Sequence, residues 1–347
     1  MIEHINWYPG HMKKTRALIR DNLRLVDCVV ELLDARIPVS SRNPVLDELI
    51  GGKPRLTVLN KADLADEAVT ERWLAALRGG GEQALAMNCL QGKGGALLSA
   101  LSRLRAERGG RRAARPFRMM VVGVPNVGKS SLLNRLTGRR STRTGSRPGV
   151  TRGKQWLTLR SGMQLLDTPG ILWPKFEDPQ VGLHLAFCGA IKDDIVDPTE
   201  LALELLRLLT ALYPQLLRQR YGLAELPQET AALLEAIAAR RGFLLPGGRV
   251  DTERCARTVL DEFRRGVLGR ITLERPQEEP REGSRRSGTG REKNGSAREK
   301  KDAGRGKNET GRKRGGAGRG KSGSAREKNS SARRQAEHRG GKAGLKR

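Results

Sequence analysis

No stretch of the 347-residue chain approaches 18 consecutive apolar residues, so no transmembrane helix is expected. The opening MIEHINWYPGHMKK has no apolar run of signal-peptide length, which argues against secretion and for a cytoplasmic setting. Cysteine is scarce and scattered. Cys28, Cys89, Cys188 and Cys255 never approach a Cys-x-x-Cys spacing, which disfavours a zinc ribbon and offers no disulfide framework. A reducing compartment suits them. Negative charge is also short: 38 Asp and Glu face 66 Lys and Arg, a net of +28. That imbalance argues against a small-molecule enzyme with no polyanionic partner. It fits nucleic acid, an RNA-rich particle or an anionic membrane surface.

The deficits are sharpest in residues 275–347. This segment has no Phe, Trp, Tyr, Ile or Val, and carries 24 Lys and Arg against 9 Asp and Glu. It cannot bury enough apolar surface to offset the entropy of ordering, and reads as a disordered basic tail. The short repeats Ser-Ala-Arg-Glu-Lys (296–300 and 324–328) and Ala-Gly-Arg-Gly-Lys (303–307 and 317–321) mark it as low complexity.

What is present earlier in the chain is alternation. Apolar runs at Val26–Leu33, Arg55–Asn60, Ala84–Asn88 and Phe117–Gly123 read as buried strands. Helical patterns at Asp66–Leu77 and Ala96–Leu104 lie between them. Such alternation predicts a parallel sheet covered on both faces. Lys154–Arg160 and Met163–Asp167 flank Ser161-Gly162 as a hairpin, which adds one antiparallel strand. From Asp197 the pattern is helical only. Asp197 caps a helix that ends before Pro214, a second helix covers about Gln228–Arg241, and a third, capped by Asp251, covers about Thr252–Gly266. The expected organisation is an α/β domain over 1–190 with a mostly parallel six-stranded sheet, a small all-α domain over 191–274, and the tail from 275.

Gly123-Val124-Pro125-Asn126-Val127-Gly128-Lys129-Ser130 fits G-x-x-x-x-G-K-[ST] between a strand and a helix, the context a phosphate-binding loop requires. The backbone of Asn126, Val127, Gly128, Lys129, Ser130 and Ser131 would face phosphate oxygens at a helix N-terminus. Lys129 would reach the β- and γ-phosphates and Ser130 would ligate Mg²⁺. Asp167-Thr168-Pro169-Gly170 leaves the next hairpin. There Asp167 can hold Mg²⁺ through water and the Gly170 amide can sense a γ-phosphate. Asn60-Lys61-Ala62-Asp63 closes the strand RLTVLN. The Asp63 carboxylate can accept from the N1–H and 2-amino group of guanine, a donor pair adenine lacks. Asn60 can bridge to the next loop, the Lys61 stem can pack on the ring, and Asn88-Cys89 can offer a backbone N–H to the guanine oxygen. Thr151, between the first helix after the loop and the hairpin, is placed to give a second Mg²⁺ ligand.

The guanine motif precedes the phosphate loop, which precedes D-T-P-G. This order resembles that of the circularly permuted GTPases. Trp7-Tyr8-Pro9-Gly10-His11-Met12, Asp34-Ala35-Arg36-Ile37-Pro38 and Gly269-Arg270-Ile271-Thr272 strengthen the resemblance, which covers roughly residues 1–275. It implies a permuted GTPase fold that binds GTP and GDP, and hydrolysis coupled to late assembly of the large (50S) ribosomal subunit. It also implies rRNA contact through the helical domain and stimulation by the particle. Ile171 stands where Ras-like enzymes orient water with Gln, so intrinsic hydrolysis should be slow. The resemblance offers His11 as a catalytic candidate on RNA, beside a plainer packing role. It offers Asn126 as a ligand for a K⁺ ion. A P-loop kinase or ATPase, or a non-catalytic RNA-binding protein, are the alternatives, and a monomer is the expected state.

With no aromatic group to stack on bases, the tail can only neutralise phosphates. Deleting residues 275–347 is expected to weaken RNA binding broadly and flatten its salt dependence, read by RNA binding across a salt series. An unchanged salt slope would contradict this.

Overall fold

The structure is a computed structural model that describes residues 10–91, 94–107, 115–138, 155–168, 170, 172–173 and 176–277. The side chains of residues 10–15, 155 and 167 fall outside that description, as does the expected tail from residue 278 on.

Six strands form one sheet in the order β3-β2-β1-β4-β6-β5. They are β1 (Cys28–Asp34), β2 (Arg55–Asn60), β3 (Gln83–Met87), β4 (Arg118–Val122), β5 (Gln155–Thr158) and β6 (Gln164–Asp167). All neighbours are parallel except β5 and β6, which form the antiparallel hairpin. This is the sheet expected from the apolar runs. Every residue of β1 is buried, because strands flank it and helices cover both faces. Its one charged interior residue, Glu31, lies within ion-pair reach of Arg42 and Arg55, and burial raises its pKa against their pull.

Helices α1 (Gly10–Leu23), α2 (Pro44–Ile50), α3 (Glu67–Gly79), α4 (Gly95–Ala106), α5 (Lys129–Thr137) and α6 (Pro179–Phe187) connect and cover the strands. Asp66 caps α3 by accepting from the Val69 N–H, and Asp178 caps α6 by accepting from Gln180. The chain then becomes helical: α7 (Pro198–Leu212), α8 (Pro214–Tyr221), α9 (Thr230–Arg240) and α10 (Thr252–Arg264). Asp197 and Asp251 cap α7 and α10 as expected. Helix α7 stops before Pro214 as expected, and α8 is an additional helix that the sequence reading does not include. The proline sits at its first position, where the missing N–H costs nothing, so the chain turns and resumes a helix.

Buried Leu201, Leu205 and Leu209 of α7 meet Leu233 and Ile237 of α9 and Val259 and Phe263 of α10 in an apolar core continuous with that of the sheet. A smaller cluster of Leu33, Leu59, Ala65 and Leu74 lies beside it. Glu262, buried on α10, ties three helices together. It accepts from Arg220 Nε (3.0 Å) and Tyr221 Oη (3.0 Å) of α8 and from Arg241 beyond α9. Because five strands run the same way, the ends of β1, β2, β4 and β6 open on one edge of the sheet, where such folds bind ligands.

Candidate nucleotide site

The loop after β4 turns into the first residue of α5. Gly128 precedes that helix at φ +106, and a Cβ on it would overlap the Asn60 amide. Lys129 folds back over the loop and donates from Nζ to the carbonyls of Gly123 (3.0 Å) and Val124 (2.7 Å). Ser130 and Ser131 follow in the first turn of α5, so the backbone N–H groups of Val127, Gly128, Lys129, Ser130 and Ser131 lie at or beside the positive end of the helix.

Asn60 joins this loop to the guanine motif. Its Nδ2 donates to the Val127 carbonyl (2.7 Å), and its Oδ1 accepts from the Cys89 N–H (2.9 Å). One amide thus fixes three segments that lie far apart in the chain. The Cys89 N–H, expected to face a guanine oxygen, is directed at Asn60 instead. Asn88 Oδ1 accepts from the Leu90 N–H (2.7 Å) and closes that loop. Asp63 is exposed on the turn after β2, beside this junction. Lys61 holds a left-handed φ of +60°, unusual for a residue with a side chain, and donates from Nζ to Asp34 Oδ2 (2.8 Å).

Asp34 ends β1 and is buried. It accepts from Arg36 Nε (2.9 Å), Arg36 Nη2 (2.8 Å), the Arg36 N–H (3.1 Å) and Lys61. Burial alone would raise its pKa, but the Arg36 guanidinium and the Lys61 ammonium hold the carboxyl far below the usual carboxylate range. Arg36, equally buried, is held well above the ordinary arginine value by Asp34 despite its own desolvation. Sequence reading noted Asp34 and Arg36 only as family features. Their links to Lys61 and to α10 span 27 and 227 residues, so no local pattern shows them.

Asp167 ends β6 in register with Val121 of β4, which brings it to the phosphate loop. Thr168 Oγ1 donates to the Val121 carbonyl (2.5 Å). Gly170 passes so close that an added Cβ would lie 2.8 Å from Pro125 N and 3.1 Å from Lys129 Nζ. Asn126, at φ +56°, donates from Nδ2 to the Gly189 carbonyl after α6 (2.6 Å). The structure therefore gathers Asn60, Lys61, Asp63, Asn88, Cys89, Asn126, Val127, Gly128, Lys129, Ser130, Ser131, Asp167 and Gly170 at one sheet edge. Thr151 and Ile171 lie outside the described residues, as does the side chain of His11.

A second polar cluster was not foreseen. His184 Nδ1 lies 3.1 Å from Ser40 Oγ and 2.9 Å from Glu274 Oε1, and Glu274 also accepts from the Ser40 N–H (3.0 Å). The same ring nitrogen faces both partners, and Ser40 and His184 are buried, which suits a packing clamp rather than a hydrolytic triad. The cysteines offer no chemistry either: burial first of all pushes the thiols of Cys28, Cys89, Cys188 and Cys255 up to about 12.

The chain matches the family described as 50S ribosome-binding GTPase over residues 118–211. It is 46% identical over 280 residues to ribosome biogenesis GTPase A of Bacillus cereus, covering 79% of this chain and 95% of that one. It is 37% identical to mitochondrial ribosome-associated GTPase 1 of Bos taurus, covering 78% and 88%. Among solved structures it resembles GNP-bound YlqF from T. maritima, at 30% identity and a TM-score of 0.56, over 76% of this chain and 99% of that one.

Asp34 yields a test of the site's electrostatics. Its depressed pKa stabilises the fold above the unfolded value of about 4, and that contribution is lost as pH falls toward the folded value. Asp34→Asn is expected to cost about 3 kcal/mol at neutral pH, by leaving Arg36 unpaired, and to flatten the acid limb of the stability curve. Urea unfolding from pH 7 to pH 3 measures both. Parallel acid limbs for variant and wild type would contradict the assignment.

Proposed function

The chain belongs to the ribosome biogenesis GTPase A family, a set of circularly permuted GTPases, and on that premise we propose that it is a GTP-hydrolysing switch acting late in large-subunit assembly. The observation that carries the reading is the Asn60 bridge, which holds the phosphate loop and the loop beside the guanine motif as one surface.

In this reading Asp63 selects guanine. Its carboxylate takes two guanine donors, and an adenine ring would leave it unpaired. Lys129 and the backbone of residues 126–131 bind the phosphates. The donors this reading assigns are hard oxygens: the Ser130 hydroxyl on α5, Asp167 at the end of β6 and, from the sequence alone, Thr151. That set fits Mg²⁺, which when bound neutralises charge on the β- and γ-phosphates. Gly170, packed against Pro125, is where a γ-phosphate would be felt through its amide. Ile171 has no group to orient water, so turnover by the free protein is slow, and His11 supplies that role once the protein is docked on RNA. Asn126 contributes to a K⁺ site. The helical domain over 191–274 and the tail from 275 contact rRNA, and the protein works as a soluble monomer in the cytoplasm.

The contact pattern supports a coupling between nucleotide and helical region. Asn126 of the phosphate loop bonds the end of α6 at Gly189. Arg264 of α10 donates to the Ala186 and Phe187 carbonyls of that same helix end (2.9 and 3.0 Å) and to Asp193 (2.6 Å).

The purified protein is expected to prefer GDP and GTP over the adenine nucleotides on the order of a hundredfold or more. Asp63→Ala should erase that preference. Lys129→Ala should abolish hydrolysis with the fold intact by circular dichroism. Large-subunit particles should accelerate hydrolysis, and potassium should outperform sodium. Equal affinity for GTP and ATP, or fast turnover in sodium without particles, would overturn the reading.

A further inference from the structure

The turn that carries Asp63 is fastened by residues about two hundred positions away. Arg270 donates from Nη2 to the Ala62 carbonyl (3.1 Å), from Nε to the Ala65 carbonyl (3.0 Å) and from Nη1 to Glu67 (2.8 Å). Its guanidinium thus grips the carbonyls on either side of Asp63. The Ile271 N–H donates to the Leu64 carbonyl (2.9 Å), and Thr272 Oγ1 accepts from the Asp66 N–H (3.0 Å). Gly266 packs against Leu64, where a Cβ would come within 2.7 Å of Leu64 Cδ2.

The turn is also held from behind. Lys61 is paired with Asp34, and Asp34 with Arg36. Arg36 lies over the Phe263 ring (5.1 Å to the centroid), and its Nη1 reaches the Phe263 carbonyl in the last turn of α10 (3.4 Å). Its own carbonyl accepts from the Leu273 N–H (2.8 Å). A turn with a left-handed Lys61 is a conformation that its surroundings must enforce. Most of those surroundings come from α10 and the segment after it.

We propose that Gly269–Thr272 is a strap for guanine recognition, with Arg270 and Arg36 as positioning residues that hold the Asp63 turn in its reading geometry. The inference rests on the assignment of Asp63 to guanine made above. It adds that base selectivity depends on the seat of α10, so a partner that shifts α10 changes the affinity for guanine nucleotides. By linkage, guanine nucleotide also stiffens the strap. Neither arginine touches the base in this account.

Arg270 is half exposed, so its truncation leaves the core intact. Fluorescent-nucleotide titration of the full chain reads GDP affinity, and competition reads ADP affinity. Thermal unfolding without nucleotide gives an independent measure of stability. Arg270→Ala is expected to weaken GDP roughly 5- to 10-fold while ADP stays within about twofold. Arg270→Lys, which keeps the charge but only one donor nitrogen, should recover part of the loss. Two results overturn the strap: wild-type affinity for both nucleotides, whether or not the melting temperature falls, and an equal loss for both. Asp63→Ala separates the two layers. If it erases the preference and Arg270→Ala leaves the GDP-to-ADP ratio at its wild-type value, only the strap falls; if Asp63→Ala keeps the wild-type ratio, the guanine assignment falls and takes the strap with it.

Discussion

The Asp34 carboxylate is the constraint on which the arrangement turns. It stands at the end of a central strand, out of contact with water, and ionises only because two cations surround it. Four donors converge on it, from Arg36 three times and from Lys61 once. An unpaired buried charge would cost several kcal/mol, so neither cation can leave without disrupting the other. Lys61 belongs to the Asn60–Asp63 turn, and Arg36 leans on α10. A single carboxylate therefore joins the nucleotide site to the helical region.

The order of motifs in the chain explains why such a join exists. In this permuted arrangement the guanine motif is made first and the phosphate loop second, and Asn60 closes the distance between them. The helices then follow directly after the Gly170 segment. The end of α6 bonds the phosphate loop through Asn126 on one side and is capped by Arg264 of α10 on the other. The last described residues return to the guanine turn. The helical region thus reaches both the phosphate loop, by way of the end of α6, and the Asn60–Asp63 turn.

Much of this was legible in the residues. The parallel strands are mostly apolar runs, and the phosphate loop and Asn60–Asp63 are local motifs whose spacing suggests their chemistry. Helices α2, α6 and α8 escape the sequence pattern for separate reasons, and α1 is also not read there. Helix α2 is seven residues long and α8 hides behind a proline. Helix α6 is apolar apart from Gln180 and His184, so it shows no polar face to set a period. Strand β1 begins two residues later than its apolar run, after Asp27, whose side chain accepts from the Arg118 N–H (2.8 Å). The strap and the Asp34 pairs were beyond reach for another reason: they join residues that only the completed fold makes neighbours.

Hydrogen exchange of the full chain, with and without GDP, tests the join between guanine turn and helical region most directly. Nucleotide that only filled a phosphate loop would protect residues near 123–131 and 60–63. The account predicts additional slowing at Leu64–Asp66, at Ile271 and Thr272, and in the last turn of α10. Protection confined to the phosphate loop and the Asn60–Asp63 turn, with α10 and the strap exchanging as before, would contradict it.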